Sequence, residues 1–89
     1  QSAKRYDKAI QLFEQALKLF EASNDRVQAN ETRLALARCF YSQSAFAASS
    51  KYLDDLMQDS DFLLTNQPLM LANAHMLKGR NQYYMNQAE

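Results

Sequence analysis

Eighty-nine residues allow one small domain. Ten basic and ten acidic residues cancel, which removes a general electrostatic drive toward nucleic acid or an anionic membrane. A single cysteine, Cys39, excludes an intrachain disulfide and a cysteine zinc cluster, and it suits a reducing, cytoplasmic setting.

Gly79 and Pro68 are the only glycine and proline, too few for sheets joined by tight turns. Ala, Leu, Gln, Lys and Glu form helices readily, so the expected fold class is all-α, with about four helices in one domain over residues 1–89. No apolar run reaches the roughly 18 residues that a membrane helix needs, and no secretory signal is visible.

The first helix is predicted from about Ser2 to Ala22. Tyr6, Ala9, Ile10, Phe13, Ala16, Leu17 and Phe20 recur at three- and four-residue steps and draw one stripe, which Leu12 and Leu19 widen. "SND" at 23–25 ends it, with Asp25 as an N-cap and Gln28 three residues on. The second helix runs from about Arg26 to Ser42, with Ala29, Leu36, Ala37 and Phe40 inward. After "SQS", a third helix covers roughly 45–58, with Phe46, Ser49, Leu53, Leu56 and Met57 inward. Such a short connection makes the second and third helices antiparallel neighbours.

"DSDFLLTNQP", residues 59–68, reads as irregular, with Phe62, Leu63 and Leu64 tucked down in one helical turn. Thr65 or Asn66 caps a fourth helix with Pro68 in its first turn, and Leu69, Ala72, Met76, Gly79 and Tyr83 step along one face of it to about Met85.

"RYDKAIQLFEQAL" and "AFAASSKYLDDLM" carry the same face forty residues apart: Tyr6 answers to Phe46, Ala9 to Ser49, Phe13 to Leu53, Ala16 to Leu56 and Leu17 to Met57. A fixed period of this size marks a stacked helical array. Through Leu36, Ala37, Phe40, Phe46, Ser49, Leu53 and Met57 the chain resembles the tetratricopeptide repeat family, in a long-unit form, and the resemblance extends over nearly all of it. Leu56 departs from the family's preference for alanine.

The resemblance implies an α-solenoid of antiparallel helix pairs, a piece of a longer array. It also implies a concave groove lined by the first helix of each unit, which places Leu34, Arg38 and Tyr41 there from one unit and Asn73, Met76, Arg80 and Tyr83 from the next. Arg38 then pairs with Arg80 and Tyr41 with Tyr83, each 42 apart. The implied function is protein–protein interaction, with a peptide or partner helix in the groove. The alternatives are a sensing or oligomerisation segment of a larger regulator, and a plain four-helix bundle. The half-units at the two ends imply uncovered apolar faces, Leu12 and Leu19 at one and some of Leu71, Ala74 and Tyr84 at the other, and hence either a fragment of a longer solenoid or association with further copies.

No catalytic constellation emerges. His75 has no second ligand at helical spacing, Asp54 and Asp55 diverge on a helix, and there is no glycine-rich phosphate loop. The expectation is a non-enzyme without cofactor or metal, whose partners are proteins rather than nucleic acid or membrane.

Overall fold

A computed structural model describes residues 2–87, with side chains from Arg5 onward. Five helices follow one another: α1 (Ser2–Ala22), α2 (Arg26–Ser42), α3 (Phe46–Met57), α4 (Ser60–Asn66) and α5 (Pro68–Gln87). There is no strand among the described residues. The stretch read as irregular holds α4, a two-turn helix that buries Leu63 completely and leaves Leu64 exposed.

The first two turns are built alike. After α1, Asn24 takes a left-handed conformation (φ 59°), the Asp25 N–H donates to the Phe20 carbonyl and the Asn24 N–H to the Glu21 carbonyl. After α2, Ser44 does the same (φ 60°), with Ala45 N–H on the Phe40 carbonyl and Ser44 N–H on the Tyr41 carbonyl. Both are Schellman closures, which satisfy the last carbonyls of a helix while reversing the chain. Asp25 then caps α2 by accepting from the Gln28 N–H at 3.1 Å, as the sequence implied.

The contacts fix the directions. Gln43, at the C-cap of α2, donates to Asp7 of α1, and Arg33 to Glu21, so α1 and α2 run antiparallel. Lys78 pairs with Asp54 and Asn81 with Ser49, so α5 runs antiparallel to α3. Hence α2 and α5 are parallel, with α3 between them.

α2 is the shared wall of two cores. Leu34 and Ala37 face Leu53, Leu56, Leu63, Ala74 and Leu77. Leu36 and Cys39 face Ile10 of α1, with Tyr6, Ala9, Phe13 and Leu17 around it. Covered on two sides, α2 carries no single apolar stripe.

Between α2, α3 and α5 lies a buried polar chain. Ser49 Oγ donates to the Ala37 carbonyl at 2.7 Å and accepts from Asn81 Nδ2 at 2.9 Å. Ser49 and Asn81 are both fully buried, and the Asn81 Oδ1 has no partner.

This contact corrects the reading of the last helix. The residues of α5 that face the core are Ala74, Leu77 and Asn81. Leu69, Ala72, Met76, Gly79 and Tyr83, the face read from the sequence, are exposed. Ala74, one of three residues named for the open end, is fully buried. α5 is apolar on several sides, so periodicity alone did not mark its buried face, and an asparagine stands in the middle of that face.

Gly79 is therefore not at a close helix crossing: a Cβ placed there meets no atom within 4 Å. The chain has its glycine inside a helix, and a serine where a left-handed residue is needed. Gly79→Ala should stabilise the fold by about 0.5–1 kcal/mol through backbone entropy. Ser44→Gly should stabilise it by about 1 kcal/mol by relieving the left-handed strain. Ala37→Phe, at a fully buried position, should cost about 1–3 kcal/mol or more. Urea titrations of the three variants check all three signs.

Candidate functional site

Two parallel helices held apart by a third leave a channel on the side away from the spacer. Between α2 and α5 lies a cleft of about 350 Å³, with Arg38, Tyr41 and Ser42 on one wall and Asn73, Met76, Leu77 and Arg80 on the other. Five of the seven residues expected in the groove, Arg38, Tyr41, Asn73, Met76 and Arg80, line this one cleft. Leu34 does not. It is buried in the core beside Leu77. Tyr83 is exposed outside the cleft with its ring against Tyr84 at 5.3 Å. The ring that meets Tyr41 is Tyr84, at 6.1 Å, so the expected Tyr41–Tyr83 pairing is displaced by one residue.

The electrostatics of the cleft are one-sided. Arg26, Arg33 and Lys78 each form an ion pair with a carboxylate. Arg38 and Arg80 are exposed, neither has an ion pair among the described residues, and no lining residue is acidic. A guanidinium offers five donors in a planar fork, so two of them leave the cleft rich in donors.

An aromatic row continues the cleft. Tyr41 meets Phe46 edge-on at 5.7 Å, and Phe46 stacks on Tyr84 at 5.0 Å. Beyond it, Ser44, Ala45, Phe46, Ala47, Ala48, Tyr84 and Met85 line an open, largely apolar recess of about 510 Å³. Phe46 was expected to face inward. Only the Tyr41 and Tyr84 contacts reveal its second role as a wall of this recess.

At the other end of α2, charged groups are tied to one another around a depression of about 390 Å³. Arg26 forms a bidentate pair with Asp59 and lies over the Phe62 ring at 4.1 Å. Asn30 Nδ2 donates to the same carboxylate, while Arg33 joins Asn30 Oδ1 to Glu21. Sequence reading missed this network, because Arg26 and Asp59 are 33 residues apart and only the return of α3 brings them together.

No group of three or more His, Cys, Asp or Glu is placed to hold a metal ion among the described residues. His75 is exposed, and burial pushes the Cys39 thiol up, away from the thiolate that nucleophilic chemistry needs. No helix among the described residues is long and apolar enough to cross a membrane. Comparison with protein-family models, with curated proteins and with solved structures gives no match.

The Asp59 network makes stability depend on pH in a definite direction. Hydrogen bonding to Arg26 holds the Asp59 carboxyl below its ordinary value of 3.8; partial burial opposes this, and Asn30 and the charges of Arg26 and Arg33 assist it. A folded-state value below the unfolded one gives stabilisation that is complete above 3.8 and lost as pH falls through the folded value. Asp59→Asn should lower the melting temperature at pH 7, and the gap to the parent should close as the melts are taken below pH 3.8.

Proposed function

We propose that the chain is a non-enzymatic protein-interaction module whose α2–α5 cleft receives a peptide segment of a protein partner. The observation that carries this reading is the convergence of Arg38, Tyr41, Asn73, Met76 and Arg80 on one cleft from two helices. Arginine beside tyrosine is the composition of binding hot spots, where a flat ring supplies area and a fork supplies direction. The size is at the low end for ligand sites, which suits a few side chains better than a folded element.

The tetratricopeptide resemblance supports the same reading. In it α2 and α3 form one helix pair of a solenoid, α1 is the second half of the preceding unit, and α5 is the first half of the following one. The parallel course of α2 and α5, with α3 antiparallel between them, is what such stacking requires.

A second reading, oligomerisation within a larger regulator, is favoured by two exposed apolar stripes. Leu12 and Leu19 on α1 are 57% and 71% exposed, and Leu69 and Met76 on α5 are 73% and 58% exposed. Each pair is seven residues apart and so falls on one line of its helix.

Two measurements test these readings. Arg38→Ala with Arg80→Ala should leave stability within about 0.5 kcal/mol of the parent, because both side chains are exposed and unpaired. On a random-sequence peptide array the double variant should lose the spots that the parent binds; an unchanged pattern removes the cleft from the interaction. Sedimentation at micromolar concentration should show association of the parent that Leu12→Glu with Leu19→Glu abolishes, if the oligomerisation reading holds. A monomeric parent eliminates it.

A further inference from the structure

The cleft and the aromatic recess are neighbours, and together they specify more than a peptide. We propose that they take an extended segment carrying one acidic side chain at Arg38 and Arg80 and one aromatic or large apolar side chain in the recess beside Phe46 and Tyr84. This rests on the peptide-binding reading above and narrows it to a chemical class.

Charge carries the first half. Two guanidinium groups share a cleft that has no carboxylate in its lining, although the chain has as many acidic as basic residues. A carboxylate arriving there gains charge-assisted hydrogen bonds that no carboxylate among the described residues makes. Asn73, in the same cleft, offers an amide to the peptide backbone.

The recess carries the second half. Its walls are Ser44, alanines 45, 47 and 48, the Phe46 and Tyr84 rings and Met85, which give mostly apolar area, with Ser44 and the Tyr84 hydroxyl as the polar side-chain groups. Tyr41 belongs to the cleft and Tyr84 to the recess, and their rings are 6.1 Å apart. Arg38 is almost one helical turn before Tyr41, which adds about 4.5 Å. An extended chain advances about 3.3 Å per residue, so the acidic residue and the anchor are about two to four residues apart.

The test uses fluorescein-labelled, amide-capped Gly/Ser peptides containing one Glu and one Phe at separations of two, three or four residues. Anisotropy titrations with the 89-residue chain should find one separation that binds best. Replacing that peptide's Glu by Gln, or its Phe by Ala, should weaken binding about tenfold each, the scale of one charge-assisted or one well-buried anchor contact. The Arg38→Gln, Arg80→Gln variant, with melting behaviour like the parent's, should no longer distinguish Glu from Gln. Tyr84→Ala should no longer distinguish Phe from Ala.

Glu and Gln peptides that bind the parent equally, while still perturbing the Met76 methyl resonance, overturn the acidic specificity and leave the cleft as a peptide site. Failure of every peptide to bind or to shift Met76 at millimolar concentration overturns both. A single-stranded oligouridylate that binds tighter than the best peptide and loses affinity in the arginine variant overturns the proposal in favour of a phosphate ligand.

Discussion

Ser49 is the point on which three helices meet. Its hydroxyl donates to the backbone of α2 and accepts from Asn81 of α5, and all three partners are in the interior. A larger side chain would push α3 away from both neighbours. A small apolar one would leave the Asn81 amide without an acceptor, which costs about 1–3 kcal/mol in a buried site. Because Ala37 and Asn81 reach the same hydroxyl, the axial register of α2 against α5 is fixed through α3. One residue beyond Ala37 is Arg38, and one residue before Asn81 is Arg80. The placing of the two arginines on one cleft is thus a consequence of the buried serine, not of any contact between the arginines themselves.

The opposite end of α2 is held by charge instead. Arg26 reaches Asp59 and the Phe62 ring, which ties the start of α2 to the turn between α3 and α4. These groups are near the surface, so their contribution is modest and screened by salt. Asp59 stands immediately before α4, and α4 sends Leu63 into the core that underlies the cleft. One helix is therefore positioned by a buried hydrogen-bond chain near its end and by a solvated ionic network near its start.

Legibility in the sequence followed how many sides of each helix are covered. α1 has one covered face, and its period was readable from Tyr6 to Phe20. α3 was readable because its inward positions repeat those of α1 forty residues on; Ser49, Leu53 and Leu56 are indeed fully buried. The buried face of α5 was not legible, for a physical reason. Leu69, Met76 and Tyr83 form a better apolar line than Ala74, Leu77 and Asn81 do, yet the latter is the buried one. Among the described residues the one partner of Asn81 is a serine 32 residues away, which its Nδ2 meets while its Oδ1 meets none, and no local pattern announces such a partner. Arg80 and Met76 line the cleft because they lie at the border between the two faces, whereas Tyr83 does not reach it. Shifting the helix by one residue moves Tyr83 out of the cleft and brings Tyr84 to Tyr41 without removing Arg80 from the wall.

The exposed line on α5 remains to be reconciled with the cleft. Met76 belongs to both: it lines the cleft and it is the middle residue of the outer stripe with Leu69 and Tyr83. Anything that covers the outer stripe therefore also changes the cleft wall. If a following helix, from this chain's parent or from another copy, packs on Leu69 and Tyr83, the Met76 side chain is pressed toward Asn73 and Arg80 and the cleft becomes narrower and drier. Drying strengthens the field of the two unpaired guanidiniums, since the same charge acts through less water. Covering of the α5 stripe and binding in the cleft are therefore not independent, because both involve one methionine, a side chain well able to repack between two neighbours.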